Sequence, residues 1–279
     1  MLADVVQHLM CPICGRPLAL ETNALRCPAA HSFDIARQGY ANLLSGNARP
    51  GTADTPEMVK ARDAFLGAGH FDPLTRLLGE RATDGLQHGA VVLDAGAGTG
   101  HYLRAVLDST PGTVGLALDI SKHAARRAAR AHPRIGAVVA DVWRPLPMRD
   151  AAMDAIINVF APRNPPEFQR VLKPGGALYA VTPSSQHLGP LVRTLGLLSV
   201  DDRKDERIDA ALAGHFVLEV RENLKVEARM SRGEVATLVG MGPSAHHVSA
   251  VDLAKHLAAL PEPVTVPLSF VLSTYRRID

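Results

Sequence analysis

The sequence has few of the features that mark membrane or secreted proteins. It contains only three cysteines in 279 residues, and an odd number in a cytosolic setting disfavours a disulfide framework. No uninterrupted apolar run approaches the roughly 20 residues that a bilayer-spanning helix needs. The N-terminus also lacks the basic and then apolar pattern of a secretion signal. We therefore expect a soluble, cytoplasmic protein with no membrane association.

An excess of charge of one sign is also missing. Lysine and arginine total 30 against 28 aspartate and glutamate residues, and the formal net charge is +2. This balance excludes a strongly cationic nucleic-acid-binding coat but leaves room for a local basic face. Arginine outnumbers lysine, which suits planar contacts with phosphates. Codon usage in a GC-rich genome is the simpler explanation of that excess.

All three cysteines lie in one N-terminal segment, CPICGRPLALETNALRCPAAH. It pairs Cys11-x2-Cys14 with Cys27-x3-His31, and two such pairs facing each other complete a tetrahedron around zinc. We predict a zinc ribbon with a structural Zn²⁺, because so short a segment cannot bury enough surface to fold without a metal. Two alternatives stay open: three unrelated thiols with His31 on the surface, or a catalytic cysteine.

From residue 90 onward, buried strands alternate with helices, which predicts an α/β domain with a mainly parallel sheet. The predicted strands are 91–100 with its turn, 114–120, 137–141, 153–162 and 176–183. Two further strands, 216–229 and 264–277, are predicted as antiparallel edges. The predicted helices are 56–66, 72–81, 121–132, 165–172, 232–239 and 250–260.

A glycine-rich turn follows the first predicted strand of this domain. Asp94, Gly96, Gly98 and Gly100 form the pattern DxGxGxG, in which glycines let the backbone bend tightly and approach a ligand. A dinucleotide-binding GxGxxG would need glycine where His101 stands. The pattern therefore predicts a nucleotide site of another kind.

Two further acidic residues end the next two predicted strands. Asp119 is placed to accept both hydroxyls of a ribose, and Asp141 is placed to accept from an adenine amino group. With Asp94, they line one crevice at the carboxyl edge of the sheet. Each has a structural alternative: Asp94 braces the loop, Asp119 is an acid at a helix N-terminus, and Asp141 caps a loop.

This arrangement, with LKPGG before the fifth strand, resembles the class I S-adenosylmethionine-dependent methyltransferases. The resemblance implies a Rossmann-like sheet and S-adenosyl-L-methionine as the cofactor. Further stretches narrow it: CPICGRPL, CPAAHSFDIARQGYANLL, KARDAFLGAGHFDPL, VLDAGAGTGHY, VFAPRNPPEFQRVLKPGG and TPSSQHL. Together they resemble the bacterial 23S ribosomal RNA guanine-N1-methyltransferases over residues 8–190, and within them the branch that confers resistance to tylosin or mycinamicin-type macrolides.

The family resemblance implies the chemistry and the domains. Family members modify a guanine in a hairpin loop near the peptide exit tunnel of 23S rRNA. We expect a zinc-ribbon RNA-recognition module over 1–46, a linker with helices over 47–84, and the methyltransferase domain over 85–279.

The resemblance also implies roles for single residues. The three cysteines and His31 match the family's zinc ligands. Gly98 and Thr99 match positions of the cofactor loop, His187 matches a histidine close to the cofactor, and Phe71 matches an aromatic residue beside it. Relatives can carry tyrosine in place of Phe71, so the hydrogen bond of that hydroxyl is absent here. From the residues alone, His187 is an ordinary loop histidine and Phe71 a core residue.

The segment after the fourth strand faces the target base in this fold class. Phe160 is placed to stack on the base and Asn158 to bond its edge, while no residue stands out as the base that removes the N1 proton. A metal-stapled module beside the crevice can hold an RNA stem while the target base swings out. Candidate RNA contacts are Arg16, Arg26, Arg37, Arg49, Lys60 and Arg62, each of which is otherwise simply a solvated charge.

Two other functions fit parts of the sequence. A small-molecule methyltransferase of antibiotic biosynthesis would explain the core but has no need of a zinc ribbon. A non-enzymatic RNA-binding protein would explain the ribbon but not the intact DxGxGxG turn with Asp119. A homodimer that forms a shared RNA cleft is consistent with the family, although the sequence does not show it.

Overall fold

The computed structural model of the protein describes residues 1–44, 53–198, 201, 203–242 and 249–278. The first 44 residues hold a short helix, a 3₁₀ turn at Val6–His8 and four short strands. They are α1 (Leu2–Val5), β1 (Ala19–Glu21), β2 (Ala24–Arg26), β3 (Ser32–Asp34) and β4 (Tyr40–Asn42).

The rest of the described chain alternates helices with longer strands, as the sequence predicts. These elements are α2 (Pro56–Gly67), α3 (Asp72–Thr83), β5 (Val91–Ala95), α4 (His101–Ser109), β6 (Val114–Asp119), α5 (Lys122–Ala128), β7 (Ile135–Val139), β8 (Met153–Val159), α6 (Pro165–Val171), β9 (Leu172–Pro183), α7 (Gly189–Leu195), α8 (Lys204–Leu212), β10 (Phe216–Met230), α9 (Arg232–Gly240), α10 (Ala250–Ala258) and β11 (Val264–Arg277).

Eight strands form one mixed sheet in the order β10-β11-β9-β8-β5-β6-β7-β4. Strands β5 to β9 pair in parallel, whereas β11 pairs antiparallel with both β9 and β10. The parallel strands β5 and β7 are buried at every position, because helices cover both faces of a parallel sheet. Aliphatic side chains pack on each face in a separate apolar cluster. The predicted α/β Rossmann-like fold is therefore confirmed.

Element bounds differ from the predicted ones at a few positions. Helix α5 ends at Ala128 rather than near residue 132, because the chain turns at Arg130 and Ala131. The third parallel strand ends at Val139, so Asp141 lies two residues beyond it. Strand β9 begins at Leu172, inside the LKPGG segment.

The N-terminal segment forms the predicted ribbon as a small sheet of three strands. Strands β1 and β2 pair as an antiparallel hairpin, and β3 adds to β2. The sequence did not indicate β4, which pairs in parallel with β7 and so extends the large sheet by one strand. Three residues are too few to show a periodic pattern. The predicted boundary at residues 46 and 47 lies outside the described residues, and the domain limits stay a prediction.

Backbone hydrogen bonds join the ribbon to the loop between β7 and β8, residues 140–152. The N–H of Met10 donates to the carbonyl of Pro147 at 2.9 Å, and the N–H of Arg149 donates to the carbonyl of His8 at 3.0 Å. Leu9 lies between these bonds and is fully buried. We call residues 140–152 the bridging loop, because they connect the ribbon to the carboxyl edge of the sheet.

Within the described ranges, no helix has both the length and the hydrophobicity that crossing a membrane requires.

Replacing Leu9 with alanine should lower the free energy of unfolding by about 2–5 kcal/mol, because it leaves a cavity between the ribbon and the bridging loop. Chemical denaturation of both proteins measures the difference. Leu20 on β1 is 38% exposed and provides the matched control, for which Leu20→Ala should cost less than about 0.5 kcal/mol. Equal effects of the two substitutions would show that the contact does not stabilise the chain.

Candidate functional site

A cavity of about 530 Å³ opens at the carboxyl ends of β5, β6, β7 and β8. This is the edge at which ligands bind in open α/β sheets. Its floor and walls come from the turns that follow those strands, and α2 contributes a roof. The lining residues are Asp54, Met58, Arg62, Leu66, Phe71, Gly96, Ala97, Gly98, Thr99, His101, Tyr102, Leu118, Asp119, Ile120, Ala140, Asp141, Val142, Trp143, Val159, Phe160, Ala161, Pro162 and Met241.

The glycine turn connects β5 to α4 and forms one wall of the cavity. Gly96 has φ +89°, and a Cβ placed there would lie 2.3 Å from the Cβ of Ala161. Only glycine lets the turn approach the opposite loop so closely. Gly98 and the buried Thr99 also line the cavity, whereas Gly100 lies behind it as the N-cap of α4.

Asp119 connects the ends of two elements through its carboxylate. Oδ2 accepts from the N–H of Gly98 at 2.8 Å, and Oδ1 accepts from the N–H of Ser121 at 2.8 Å. Burial raises the pKa of Asp119, although the two amides oppose the shift. A carboxylate oxygen can accept more than one hydrogen bond, so Asp119 retains acceptor capacity toward the cavity.

Asp94 lies beneath the turn rather than on the cavity wall. Its side chain is buried, and Oδ2 has no hydrogen-bond partner among the described residues. Burial raises the pKa of Asp94 well above its ordinary value, and the nearby Asp119 adds to the effect. This location suits the bracing role that was the structural alternative for Asp94. A role in holding the cofactor stays a prediction.

Asp141 lies on the cavity wall at the start of the bridging loop. Its Oδ1 accepts from the N–H of Trp143 at 2.9 Å. The residue therefore caps a loop, as the structural alternative supposed, and it also lines the cavity. The predicted contact with the adenine amino group remains a prediction.

Arg62 projects from α2 into the cavity, where the sequence indicated an RNA contact. Its guanidinium forms an ion pair with Asp54 and donates from Nη2 to the carbonyl of Met241 at 2.9 Å. The side chain is only 25% exposed. Ser121 donates from its hydroxyl to the carbonyl of Asp54 at 2.7 Å, which ties the segment before α2 to the end of β6. Arg62 thus places a cation beside the glycine turn.

Aromatic side chains form the wall of the cavity next to β8 and β9. The ring of Phe71 is buried and lies 6.3 Å from both Phe160 and His187, and 4.9 Å from Phe270. Phe160 is 43% exposed and has φ +53°, a left-handed conformation that is rare for a bulky residue. His187 does not line the cavity. It lies behind Phe71 and packs against Phe270 at 4.8 Å.

Asn158 is placed differently from its sequence-based interpretation. The side chain is fully buried, and its amide donates to the carbonyls of Ala95 at 2.8 Å and Pro162 at 2.9 Å. These bonds fasten the end of β5 to the turn after β8. Its Oδ1 is buried and has no hydrogen-bond partner among the described residues, so a contact of this oxygen with a base edge stays a prediction.

Cys11, Cys14, Cys27 and His31 bring four ligand atoms within 4.8 Å of one another. Tetrahedral zinc with ordinary bond lengths puts its ligand atoms about 3.5–3.8 Å apart. The Sγ of Cys14 and of Cys27 are 3.6 Å apart, and Nδ1 of His31 lies 3.5 Å from Cys11 Sγ. Burial raises the pKa of Cys27, but the N–H groups of His31 and Ala29 outweigh it and bring the pKa to about 6. The cluster therefore fits a closed, structural zinc site.

Two family models match the two parts of the chain that carry these sites. The model described as "RlmA, N-terminal" matches residues 9–49, and the model described as "Methyltransferase domain" matches residues 92–176. The chain is also 47% identical to the 23S rRNA (guanine(748)-N(1))-methyltransferase of Streptomyces fradiae, with 99% of each chain covered. The chain belongs to the 23S rRNA (guanine-N1)-methyltransferase family.

A Micromonospora griseorubida protein that carries the same family name is 51% identical, again over 99% of each chain. Solved structures agree in fold at lower identity. YcgJ of Bacillus subtilis is 17% identical with a TM-score of 0.51, covering 74% of this chain and 98% of its own. The cyclase SpnF is 21% identical with a TM-score of 0.52, covering 74% and 80%. These two likenesses show the fold alone.

Family membership confirms the resemblance, the S-adenosylmethionine cofactor and the structural zinc. The cavity fits that cofactor chemically. Asp119 offers a carboxylate for ribose hydroxyls, and the glycine turn lets a ligand approach the backbone. Which residues hold the cofactor stays a proposal, and it rests on these donors and acceptors.

Sequence reasoning missed two features of the site. Trp143 lines the cavity mouth and is 67% exposed, but nothing in its local sequence indicates this. Arg163 follows β8 with its Nε buried and unpartnered among the described residues. Burial lowers the pKa of Arg163. Burial, with repulsion from Arg163, also lowers the pKa of the half-buried Lys204. Two cations therefore lie close to each other near the turn after β8.

Replacing Cys14 with serine should abolish stoichiometric zinc binding, because a tetrahedral site with three protein ligands is much weaker. Metal analysis of the purified chain measures the loss. Relative to the wild type, hydrogen exchange in Cys14→Ser should become faster in β1–β3 and change less in β5–β9. Ile13 is 59% exposed in the same turn, and Ile13→Ser is the matched control. Full zinc content in Cys14→Ser would exclude Cys14 as a ligand.

His187 should make the stability of the chain depend on pH. Burial, with repulsion from Lys204, lowers the pKa of His187 from 6.5 to about 4, and its Nδ1 accepts from the N–H of Ser269 at 3.2 Å. The unfolded chain therefore takes up this proton first as pH falls, so its stabilising contribution is complete above pH 6.5 and is lost toward pH 4.

The wild type should lose up to about 3 kcal/mol more stability than His187→Asn between about pH 7 and pH 4. Asparagine keeps an acceptor for Ser269 but does not titrate. Denaturant unfolding of both proteins at several pH values measures the difference. Parallel pH dependences would show that His187 is not held neutral by the fold.

Proposed function

We propose that this protein transfers a methyl group from S-adenosylmethionine to N1 of one guanine in a hairpin loop of 23S rRNA. The observation that carries the proposal is the position of the ribbon. It is bonded through the backbone to the bridging loop, and the first residues of the same loop line the cavity. A metabolite enclosed in the cavity would not need such a module at its rim, whereas an RNA stem needs an external support.

The relative from Streptomyces fradiae is named for guanine 748, and we propose the corresponding guanine as the target here. Methylation of that base would confer resistance to macrolides of the tylosin and mycinamicin type, as the family resemblance implies. A protein that modifies ribosomal RNA works in the cytoplasm, which fits the expected localisation.

The cofactor supplies an electrophilic methyl group, so the main task of the protein is alignment. Asp119 and the glycine turn would hold the nucleoside part of the cofactor at the end of β6. Phe160 would then cover one face of the flipped guanine, because its exposed ring lies on the cavity wall beside Phe71. The left-handed backbone at Phe160 keeps the ring at the mouth, since its N–H donates to the carbonyl of Val181 at 3.1 Å.

Guanine N1 carries a proton at neutral pH, and that proton must leave during the transfer. His187 is neutral but lies behind Phe71, so it does not reach the cavity. Backbone carbonyls of the turn after β8 would help to orient N1, and solvent at the mouth of the cavity would accept the proton. We assign no side chain as the general base.

The ribbon presents several cations for the RNA backbone. Arg16 and Arg37 are exposed, as is Lys60 on α2, and Arg26 is 3.6 Å from Glu21. These residues would supply contacts with phosphates, which position an RNA without reading its sequence. Arg49 lies outside the described residues. The ribbon would thus fix the stem, and the cavity would receive the base.

A homodimer with a shared RNA cleft is a further part of the proposal. Strand β10 forms one edge of the large sheet, and it exposes Val217, Leu218 and Val220. An exposed apolar edge strand is suited to pairing with a second copy. Light scattering at several protein concentrations, with and without RNA, tests this state.

The function is tested by transfer of labelled methyl groups to 23S rRNA that lacks its modifications, followed by mapping of the product nucleotide. Label on a single hairpin guanine supports the proposal. Tight cofactor binding without RNA labelling, and transfer to a metabolite instead, would contradict it.

The cofactor site is tested separately with Asp119→Ala. Loss of hydrogen bonds to a charged acceptor should weaken the binding of S-adenosylmethionine roughly 10- to 100-fold in calorimetry. Asp108 on α4 is about half exposed and pairs with Arg104 at the surface, so Asp108→Ala is the matched control and should bind normally. Unchanged affinity in Asp119→Ala would remove Asp119 from the cofactor site.

A further inference from the structure

The one tryptophan of the chain lies at the mouth of the cofactor cavity. Trp143 is 67% exposed, whereas Phe160, the other exposed ring of the cavity wall, is 43% exposed. Leaving an indole in water forgoes the hydrophobic stabilisation that burial would bring. Tryptophan so placed is typical of a contact surface rather than of a protein core.

The backbone around Trp143 is held firmly although the indole is free. The N–H of Trp143 donates to Asp141 Oδ1 at 2.9 Å, and the Nδ2 of Asn164 donates to the carbonyl of Val142 at 2.9 Å. Further along the loop, the N–H of Leu146 donates to Glu167 Oε2 at 2.6 Å. The indole is therefore presented from a fixed platform, so little conformational freedom is lost when a partner binds.

Trp143 also lies on the path between the two parts that an RNA must contact. It belongs to the bridging loop, whose later residues Pro147 and Arg149 bond to the ribbon. On its other side are the cavity and Phe160, the second exposed aromatic ring of the wall. An RNA held by the ribbon and delivering a base into the cavity must cross this loop.

We propose that Trp143 stacks on a nucleobase of the RNA hairpin loop that neighbours the methylated guanine. Unpaired bases in RNA loops are recognised by stacking on aromatic side chains. Phe160 would cover the guanine inside the cavity, while Trp143 would hold the adjacent base outside it. This inference rests on the proposed function, because it names a contact of the same RNA.

The geometry favours a base of the RNA over the adenine of the cofactor. Inside the cavity, apolar contact area beside Asp141 already comes from Ile120, Ala140 and Val142. Ala140 and Val142 are buried, as expected for residues that line a site for a small ligand. The indole extends outward from them into solvent, where the cofactor does not need to reach.

The test compares the wild type with Trp143→Ala and Trp143→Phe, using a synthetic hairpin that carries the loop in which methylation is mapped. Loss of one stacked base should raise the dissociation constant of the hairpin roughly 5- to 100-fold in Trp143→Ala. Trp143→Phe, which still stacks, should stay much closer to the wild type. Val251→Ala, at an exposed site on α10, is the control and should bind the hairpin normally.

Fluorescence provides a second readout, because Trp143 supplies all the tryptophan emission of the chain. The hairpin should quench this emission in the absence of cofactor, and the demethylated cofactor product alone should change it little. Quenching by the cofactor product with none by RNA would overturn the proposal and assign the indole to the adenine. Normal hairpin affinity in Trp143→Ala would overturn it as well.

Different results would contradict the transfer of the methyl group to RNA and the stacking contact of Trp143. If the wild type does not methylate RNA, the proposed function itself is wrong. If the wild type methylates the hairpin and Trp143→Ala does so with the same KM, only the stacking contact is wrong. Calorimetric affinity for S-adenosylmethionine should be the same in wild type and Trp143→Ala, which also shows that the variant is folded.

Discussion

The cofactor cavity depends on two backbone N–H groups that donate to the carboxylate of Asp119. One comes from Gly98 in the glycine turn and the other from Ser121 before α5. Together they fix the turn after β5 against the end of β6. Since burial raises the pKa of Asp119, these amides also help to keep its carboxylate charged. The glycine at 96 follows from the same constraint, because the fixed turn passes too close to Ala161 for any side chain.

A second constraint concerns the ribbon, which has too little apolar surface to fold without help. Its strands have only three residues each. Zinc supplies part of the missing free energy, and packing of Leu9 and Val5 on the methyltransferase domain supplies another part. The segment after the ribbon then continues into β4, which joins the large sheet beside β7. The ribbon is therefore held in one orientation relative to the cavity, and an RNA stem bound there would have a defined position.

Much of this arrangement is predictable from sequence, for identifiable physical reasons. Fully buried parallel strands such as β5 require continuous aliphatic runs, so the run that begins VVLDA predicts a strand at this position. The spacing of Cys11, Cys14, Cys27 and His31 follows directly from the ligand geometry of zinc. The acids at strand ends were predictable because parallel strands bring their carboxyl ends to one edge.

The features that were not predictable depend on contacts between distant segments. Arg62 enters the cavity because α2 lies over it, and its partner Met241 is 179 residues away in sequence. The amide of Asn158 carries a donor and an acceptor that could bond a base edge, yet the carbonyls of Ala95 and Pro162 accept both of its N–H bonds. Whether a side chain faces a ligand or fastens a loop is decided by such neighbours, and a single sequence does not state them.

The fold itself does not determine the substrate. The cyclase SpnF has a similar fold at a TM-score of 0.52, so the Rossmann-like sheet sets a cavity and not a reaction. Around its cavity this chain carries a zinc ribbon on one side and two exposed aromatic rings, Trp143 and Phe160, along the mouth. An RNA hairpin can be held at its paired stem by contacts with charged side chains and at its unpaired loop bases by stacking. Each kind of contact needs its own protein surface. The bridging loop contacts the ribbon and also lines the cavity, so in the proposed function it would couple recognition of the stem to placement of the base.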